Sequence, residues 1–335
     1  MRAIVVDEFG PIENAKLREA PDPVPAAGEI LIEVHATPAN YVDILLIGGK
    51  HQSRPPLPYI PGKGPAGIVR ALGPGVTGFK IGDRVLGMCE PGGGYAELIA
   101  VPTTQCYRMP ESMPFVDAAS MALVFDTAWF SIRERGRFQP GETVLVLGGS
   151  GGVGLAAIQL AKALGAHVLA GVSNPDKYDL AREAGADAII ELDRPDLQDS
   201  LRAQVYAVTD GRGADIIIDP LGDVIFDAAI RALAWCGRMV IIGFAAGKIP
   251  TIKANYLLVR NIDVCGLQIG DYRKRTPHKT AACFAELFAL YEAGLIKPLP
   301  TTTMPIERVG DALRAIRDRT ARGRIVLLQK RAKTR

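Results

Sequence analysis

The chain has 335 residues, 48% of them hydrophobic and 22% charged, a balance that suits a globular protein of about two domains and argues against a disordered or fibrous one. Its 39 Lys and Arg against 36 Asp and Glu give a net charge of +3, too small by itself to imply a nucleic-acid or membrane surface. Cys89, Cys106, Cys236, Cys265 and Cys283 form no Cys-x-x-Cys pair, so neither a disulfide framework nor a sulfur-rich zinc site is suggested. The N-terminus carries acids where a signal peptide needs cations and then an apolar run, and no window reaches ~18 apolar residues, so the expected location is the cytoplasm.

Taken in order, the first hundred residues are short apolar runs between Gly and Pro: Ala3–Val6, Glu29–His35, Gly67–Leu72, Arg84–Met88 and Tyr95–Val101. This spacing predicts a compact β-rich domain, with turns at Gly73-Pro74-Gly75, Gly82-Asp83-Arg84 and Pro91-Gly92-Gly93-Gly94. From Met113 to Gly136 the pattern is Ala-rich and helical. After Gln139-Pro140-Gly141, strands alternate with helices. The expected strands are Thr143–Leu147, His167–Gly171, Ala188–Glu191, Asp215–Asp219, Met239–Gly243 and Ile262–Leu267. Helices are expected over Leu155–Leu164, Asp176–Ala184, about Pro195–Val208, and Asp223–Trp235. Six strands in this alternation predict an α/β, doubly wound parallel sheet. A long helix from about Pro277 to Ala293, a shorter one over Ile306–Arg317 and a strand Arg324–Gln329 then return to the first domain. The basic end, Lys330 to Arg335, reads as a solvated terminus.

Between the strand Thr143–Leu147 and its helix lies Gly148-Gly149-Ser150-Gly151-Gly152-Val153-Gly154, in which Gly149, Gly151 and Gly154 satisfy G-x-G-x-x-G. In such a strand-turn-helix the first glycine makes the tight turn, the second lets backbone approach a pyrophosphate, and the third packs helix on strand. The free N–H groups of the first helical turn then face the anion. The second strand runs into Ala170-Gly171-Val172-Ser173-Asn174 and lacks the terminal carboxylate that would accept from a ribose 2′-hydroxyl. Ser173 and Lys177 stand there instead, a hydroxyl and an ammonium suited to a 2′-phosphate. That pattern favours NADPH over NADH.

The run from Gly141-Glu142-Thr143-Val144-Leu145 through the glycine turn to Gln159 and Lys162 resembles the medium-chain dehydrogenase/reductase superfamily, and within it the zinc-independent NADPH:quinone oxidoreductase (zeta-crystallin-like) branch. Supporting segments are Asn40-Tyr41-Val42-Asp43, Val76 to Val85, Gly94-Tyr95-Ala96-Glu97, Leu180 to Asp187, and Gly323-Arg324-Ile325-Val326-Leu327. The resemblance implies a GroES-like β-rich catalytic domain over residues 1–122, a Rossmann cofactor domain over 123–267, and a return to the catalytic domain over 268–335. It also implies NADPH in the cleft between the domains, and a homodimer or dimer of dimers joined through the cofactor domains. The apolar sixth strand, an open sheet edge, agrees with such pairing.

Where zinc-dependent members place Cys, His and Cys ligands, this sequence carries Asn40, Lys63 and Leu123, none of which forms the usual nitrogen or thiolate site. No metal is therefore expected. By resemblance, Asn40 and Asp43 line the nicotinamide and substrate cleft; read alone, they also suit an Asx cap or turn after Pro38, Asp43 more than Asn40. His51 aligns with a pocket tyrosine or is a loop residue, and Leu45 stands where some relatives carry another tyrosine. Tyr59 either lines the cleft or packs beside Pro58. Lys63, between Gly62 and Gly64, reads as an oxyanion donor, as a partner for an anionic substrate, or as a solvated loop lysine. To Gly149, Ser150, Gly151, Gly152, Val153, Gly154, Ser173 and Lys177 the resemblance adds Thr127, Phe244 and Leu267 as expected cofactor residues, and it places Leu192 where some relatives carry a tyrosine near the adenosine.

Without a metal to polarise an alcohol, the chemistry left is hydride delivery to an acceptor that is already electrophilic, a quinone or an enone-type small molecule. No Tyr-x-x-x-Lys acid pair of short-chain dehydrogenases is present, which leaves solvent as a proton source. A 2-enal or enoyl-thioester reductase is the alternative. A non-catalytic NADPH-binding or RNA-binding protein is the third reading, opposed by the near-neutral charge and the lack of an aromatic-interleaved basic stretch.

Overall fold

A computed structural model describes residues 1–329; Lys330 to Arg335 lie outside the described residues. The chain opens with β1 (Arg2–Val6), β2 (Ala15–Glu19) and the long β3 (Glu29–Ala39), then a short helix α1 (Tyr41–Ile47). Strands β4 (Ala66–Leu72), β5 (Arg84–Gly87), β6 (Leu98–Pro102) and β7 (Cys106–Arg108) follow, and helices α2 (Phe115–Met121) and α3 (Val124–Trp129) come next. A π-helical stretch, Phe130–Arg135, extends α3. The alternating part is β8 (Thr143–Leu147), α4 (Gly152–Ala163), β9 (His167–Val172), α5 (Tyr178–Glu183), β10 (Ala188–Glu191), α6 (Leu197–Ala207), β11 (Ala214–Asp219), α7 (Asp223–Ala229), β12 (Leu233–Ile241), α8 (Ala254–Arg260) and β13 (Asp263–Gly266). Helices α9 (Ile269–Arg275) and α10 (Pro277–Glu292), β14 (Thr301–Pro305), α11 (Val309–Arg317) and β15 (Arg324–Leu328) complete the chain.

Two compact units result. The first holds Met1–Leu123, Arg273–Phe288 and the chain from Pro298 onward; the second holds Val124–Tyr272 and Ala289–Lys297. In the first, β14-β15-β3-β4-β5-β7 form one sheet, with β6 also paired to β3, and β1 and β2 form a separate antiparallel hairpin. Alternation of buried and half-buried residues along β3 marks a sheet with one face on the core. In the second unit the order is β10-β9-β8-β11-β12-β13, all parallel. Counted from β8, that is 3-2-1-4-5-6, so the order reverses between β8 and β11, where ligands of such sheets bind beyond the strand ends. All five residues of β8 are buried, as expected for a strand covered by helices on both faces.

Some boundaries differ from the sequence reading. The helix expected over Asp223–Trp235 stops at Ala229, and after a 3-10 turn the residues from Leu233 onward join the sheet as β12. Burial of Leu233 and Ala234 beside β11, in register with Ala214, outweighs their helical spacing. The strand expected over Tyr95–Val101 begins at Leu98, since Ala96 makes only a bridge to Ala3. Helices α1, α8 and α9 and strands β2, β7 and β14 were not anticipated. Among the described residues, no single helix is long and apolar enough to cross a membrane.

Motif residues outside the glycine turn hold elements together. Lys162 of α4 pairs with Asp187 at 2.6 Å, and the other oxygen of Asp187 accepts the Val168 N–H. In the first unit Arg324, at the start of β15, is 8% exposed; it donates to the carbonyls of Ser120 (3.1 Å) and Ala122 (3.4 Å) and to Asn40 Oδ1 (2.8 Å). These buried acceptors would be orphaned by Arg324→Met, which is expected to lower stability by about 3 kcal/mol or more in denaturant unfolding. Arg324→Lys should recover little of the loss, because a point ammonium does not reproduce the planar fork that spans three acceptors.

Candidate functional site

At the crest of the second unit, β8 ends at Leu147 and the chain turns at Gly148, which has a left-handed φ of 62°. Gly149 donates to the Gly171 carbonyl at 2.9 Å, tying the turn to β9, and Gly151 donates to Gly148 at 2.9 Å. Gly151 is the N-cap of α4, and the first helical bond runs from Leu155 N–H to its carbonyl. The N–H groups of Gly152, Val153 and Gly154 precede that bond and so have no helical acceptor, which leaves an anion site at a helix N-terminus. Ser150 is half-buried in the same turn.

The glycines divide the work differently from the sequence reading. The left-handed turn residue is Gly148, outside the motif, and Gly149 is a packing residue whose β-carbon would meet Ala170 at 3.0 Å and Ile158 at 3.3 Å. At Gly154 a β-carbon would overlap the Gly148 carbonyl oxygen. Gly151 is exposed, with only the Gly148 oxygen near its absent side chain, so a ligand can approach its backbone.

Ser173 and Asn174 leave the end of β9 exposed, and Asn174 Oδ1 accepts the Asp176 N–H at 3.0 Å to start the turn Pro175–Lys177. Lys177 is half-buried and has no acidic partner among the described residues. Phe244 is 40% exposed just past β12. Leu267 donates its N–H to Ile241 at 2.9 Å, and the Thr127 carbonyl accepts from Ser131 Oγ at 2.7 Å.

In the first unit, Asn40 caps α1 and its N–H donates to Asp43 Oδ2 at 3.0 Å, so the capping alternative describes the observed geometry. Asp43 is fully buried, and accepts also from the Tyr95 hydroxyl (2.8 Å) and the Gly62 N–H (3.3 Å). Burial raises its pKa, opposed by Tyr95 and by the charge of Lys63. Burial likewise brings Arg324 down to about 10, against the pull of Tyr95 and Asp43. Asn40 Oδ1 accepts from Arg324 while its Nδ2 donates to Pro38 O at 3.1 Å.

Lys63 is 6% exposed, which overturns the solvated-loop reading; its ammonium pairs with Glu90 Oε2. Arg273 holds the other oxygen of Glu90 at 2.6 Å. Burial pushes Glu90 upward, but Lys63 and Arg273 outweigh it and keep its pKa below the ordinary range. Gly62 and Gly64, with φ of 95° and 78°, present Lys63, and a β-carbon at either would collide with Tyr95 or Ala122. Asn40, Asp43 and Lys63 thus belong to one buried polar region, whereas the His51 ring bonds to Ser53 within its own loop. Tyr59 is buried against the core of the first unit. Glu90 and Arg273 were missed from sequence because partners 27 and 183 residues apart share no periodicity.

The crest is that of a dinucleotide-dependent oxidoreductase. The sequence matches the family described as zinc-binding dehydrogenase over residues 152–287 and the alcohol dehydrogenase GroES-like domain over residues 26–111. It is 32% identical to the quinone oxidoreductase of Homo sapiens over 330 residues, 98% of each chain. A mycobacterial protein solved in complex with NADPH superposes with a TM-score of 0.89 at 30% identity, over 98% of this chain and 100% of that one. The CurK enoyl reductase superposes with a TM-score of 0.87 at 25% identity, over 98% and 99%. The chain belongs to the medium-chain dehydrogenase/reductase superfamily, with its quinone oxidoreductases, and is an enzyme of that oxidoreductase class.

A zinc ion does not fit the side chains present. Lys63 brings a cation already paired with Glu90, the Asn40 amide is held by Arg324 and Pro38, and Leu123 has no donor atom. Among the described residues, no group of three His, Cys, Asp or Glu is placed to hold a metal.

Gly154→Ala is expected to weaken dinucleotide binding about tenfold or more and to lower stability by about 1–3 kcal/mol, because α4 must move off the turn. Fluorescence titration with NADPH, paired with thermal unfolding, checks both.

Proposed function

We propose that this protein reduces a quinone or similarly electrophilic small molecule with NADPH, without a metal. The observation that carries this reading is the pairing of an open glycine crest with Ser173 and Lys177 at the end of β9, where an NAD site needs a carboxylate. NADPH, when bound, supplies the hydride. The N–H groups of Gly152, Val153 and Gly154 bind its pyrophosphate, Ser173 and Lys177 its 2′-phosphate, and Thr127, Phe244 and Leu267 border the nicotinamide. The Asn40 amide keeps a second N–H beyond its bond to Pro38, a donor of the kind a developing oxyanion needs. Asp43, Lys63 and Glu90 hold the Asn40 region rather than touching substrate. His51 takes no part in this assignment. Solvent supplies the proton that, with the hydride, converts quinone to hydroquinone.

Steady-state NADPH oxidation with quinones, 2-enals and enoyl thioesters tests the reading, and turnover unaffected by chelators is expected with quinones. Turnover confined to enals or enoyl thioesters would instead favour the alkene reductase reading, which the likeness to an enoyl reductase supports. Lys177→Ala should reduce the NADPH to NADH ratio of kcat/KM about tenfold to a hundredfold, the worth of a charged hydrogen bond to phosphate. An unchanged ratio would refute the assignment of Lys177.

We also propose a homodimer. Strand β13 lies at the sheet edge, and Leu258 and Val259 of α8 are 78% and 74% exposed while Tyr256 and Leu257 of the same helix pack inward. Such an apolar edge is a surface for a second copy. Leu258→Glu with Val259→Glu is expected to shift the mass in light scattering from dimer to monomer.

A further inference from the structure

Asp219 ends β11 at the point where the strand order of the second unit reverses, one residue past the pairing of Ile218 with Val146 of β8 and opposite Ile241 of β12. It is fully buried. Its Oδ1 accepts the N–H groups of Leu221 (2.8 Å) and Gly222 (3.0 Å), while Oδ2 has no hydrogen-bond partner. The loop held in this way packs against the glycine turn at Gly148 and against Phe244 at Gly222. A side chain at Gly148 would meet Leu221 and Pro220 at 3.3 and 3.4 Å, and one at Gly222 would meet the Phe244 ring at 3.0 Å.

No charged group compensates this carboxyl. Strand β8 and the glycine turn carry no ionisable residue. On β12, Cys236 is exposed and Arg238 is paired with Glu142 and in register with Ile216. On α7, Asp223 accepts the N–H of Val224 and Asp227 is exposed, and Lys248, whose carbonyl accepts the Asp223 N–H, is exposed as well. Burial raises the Asp219 pKa, the two amides lower it, and no ionisable neighbour contributes. An uncompensated buried carboxylate is costly, and a pyrophosphate arriving at the adjacent turn makes it more so.

We propose that Asp219 is a proton-linked positioning residue for the dinucleotide: the anionic cofactor binds the form of the protein in which Asp219 is neutral, and binding draws one proton from solvent onto Oδ2. This rests on the dinucleotide part of the function proposed above. The neutral acid keeps the Leu221 and Gly222 bonds at Oδ1 and gains an O–H donor at the orphaned oxygen. No bond of the cofactor changes. The sign follows from linkage. As pH rises through the Asp219 pKa the free protein loses a proton that binding must restore, so affinity falls, by up to tenfold per pH unit.

The test uses the full chain. NADPH dissociation constants are measured from about pH 5 to 8 for the wild type and Asp219→Asn, whose amide imitates the neutral acid. The 2′-phosphate titrates equally in both, so the difference isolates residue 219. Wild-type affinity is expected to fall with pH relative to the variant. Calorimetry of wild-type NADH binding, which involves no 2′-phosphate, in two buffers of different ionisation enthalpy should show uptake approaching one proton. Parallel pH profiles would overturn the inference. If the variant does not fold, the wild-type proton count decides alone, and zero uptake throughout this range overturns it. Tight binding without uptake leaves the NADPH reading intact, whereas absence of any dinucleotide binding refutes both.

Discussion

Helix α4 can stand over the end of β8 only because nothing projects from Gly154 toward the Gly148 carbonyl. This close approach, with the left-handed turn at Gly148 and the Gly149 bond to β9, fixes the direction in which the first-turn N–H groups point. The crest then depends on neighbours in the sheet rather than on the turn alone. Pro220 and Leu221 buttress Gly148 from the end of β11, and Asp219 holds that loop. The proposed anion site is thereby made mostly of backbone, which keeps it free of side-chain entropy and already oriented before binding.

The first unit solves a different problem. Asp43, Lys63, Glu90, Arg273 and Arg324 are ionisable and buried, and burial is tolerated because nearly every polar atom named here has a partner of complementary character. Those partners come from α1, the loops around Gly62 and Glu90, the end of α9 and the start of β15. Such a set contributes little net stability as a whole, yet losing one member leaves the rest desolvated and unpaired. Its consequence is that Lys63, between Gly62 and Gly64, and the Asn40 amide are each held by partners of their own.

Much of this was legible from the sequence. Strict local patterns, such as the buried runs of β8 and β9 and the glycine spacing before α4, specify strand, turn and helix because hydrophobic periodicity and backbone sterics act over a few residues. The missing carboxylate after β9, with Ser173 and Lys177 in its place, is likewise a local fact. Boundaries failed where tertiary burial overrode local preference, as at Leu233, whose helical spacing yields to a place beside β11. The state of Lys63 was not readable, since a lysine between two glycines looks solvated until Glu90 and Arg273 are brought to it from elsewhere in the chain.

The sequence by itself therefore determined the two kinds of architecture and the dinucleotide turn, because each depends on residue identity or short-range order. Only the tertiary structure decided which glycine makes the turn, that Asp43 and Lys63 are buried and engaged, and that Asp219 keeps an unpartnered oxygen beside the crest. Those properties are set by desolvation and by partners distant in the chain, and neither quantity exists until strands and loops remote in sequence are packed together.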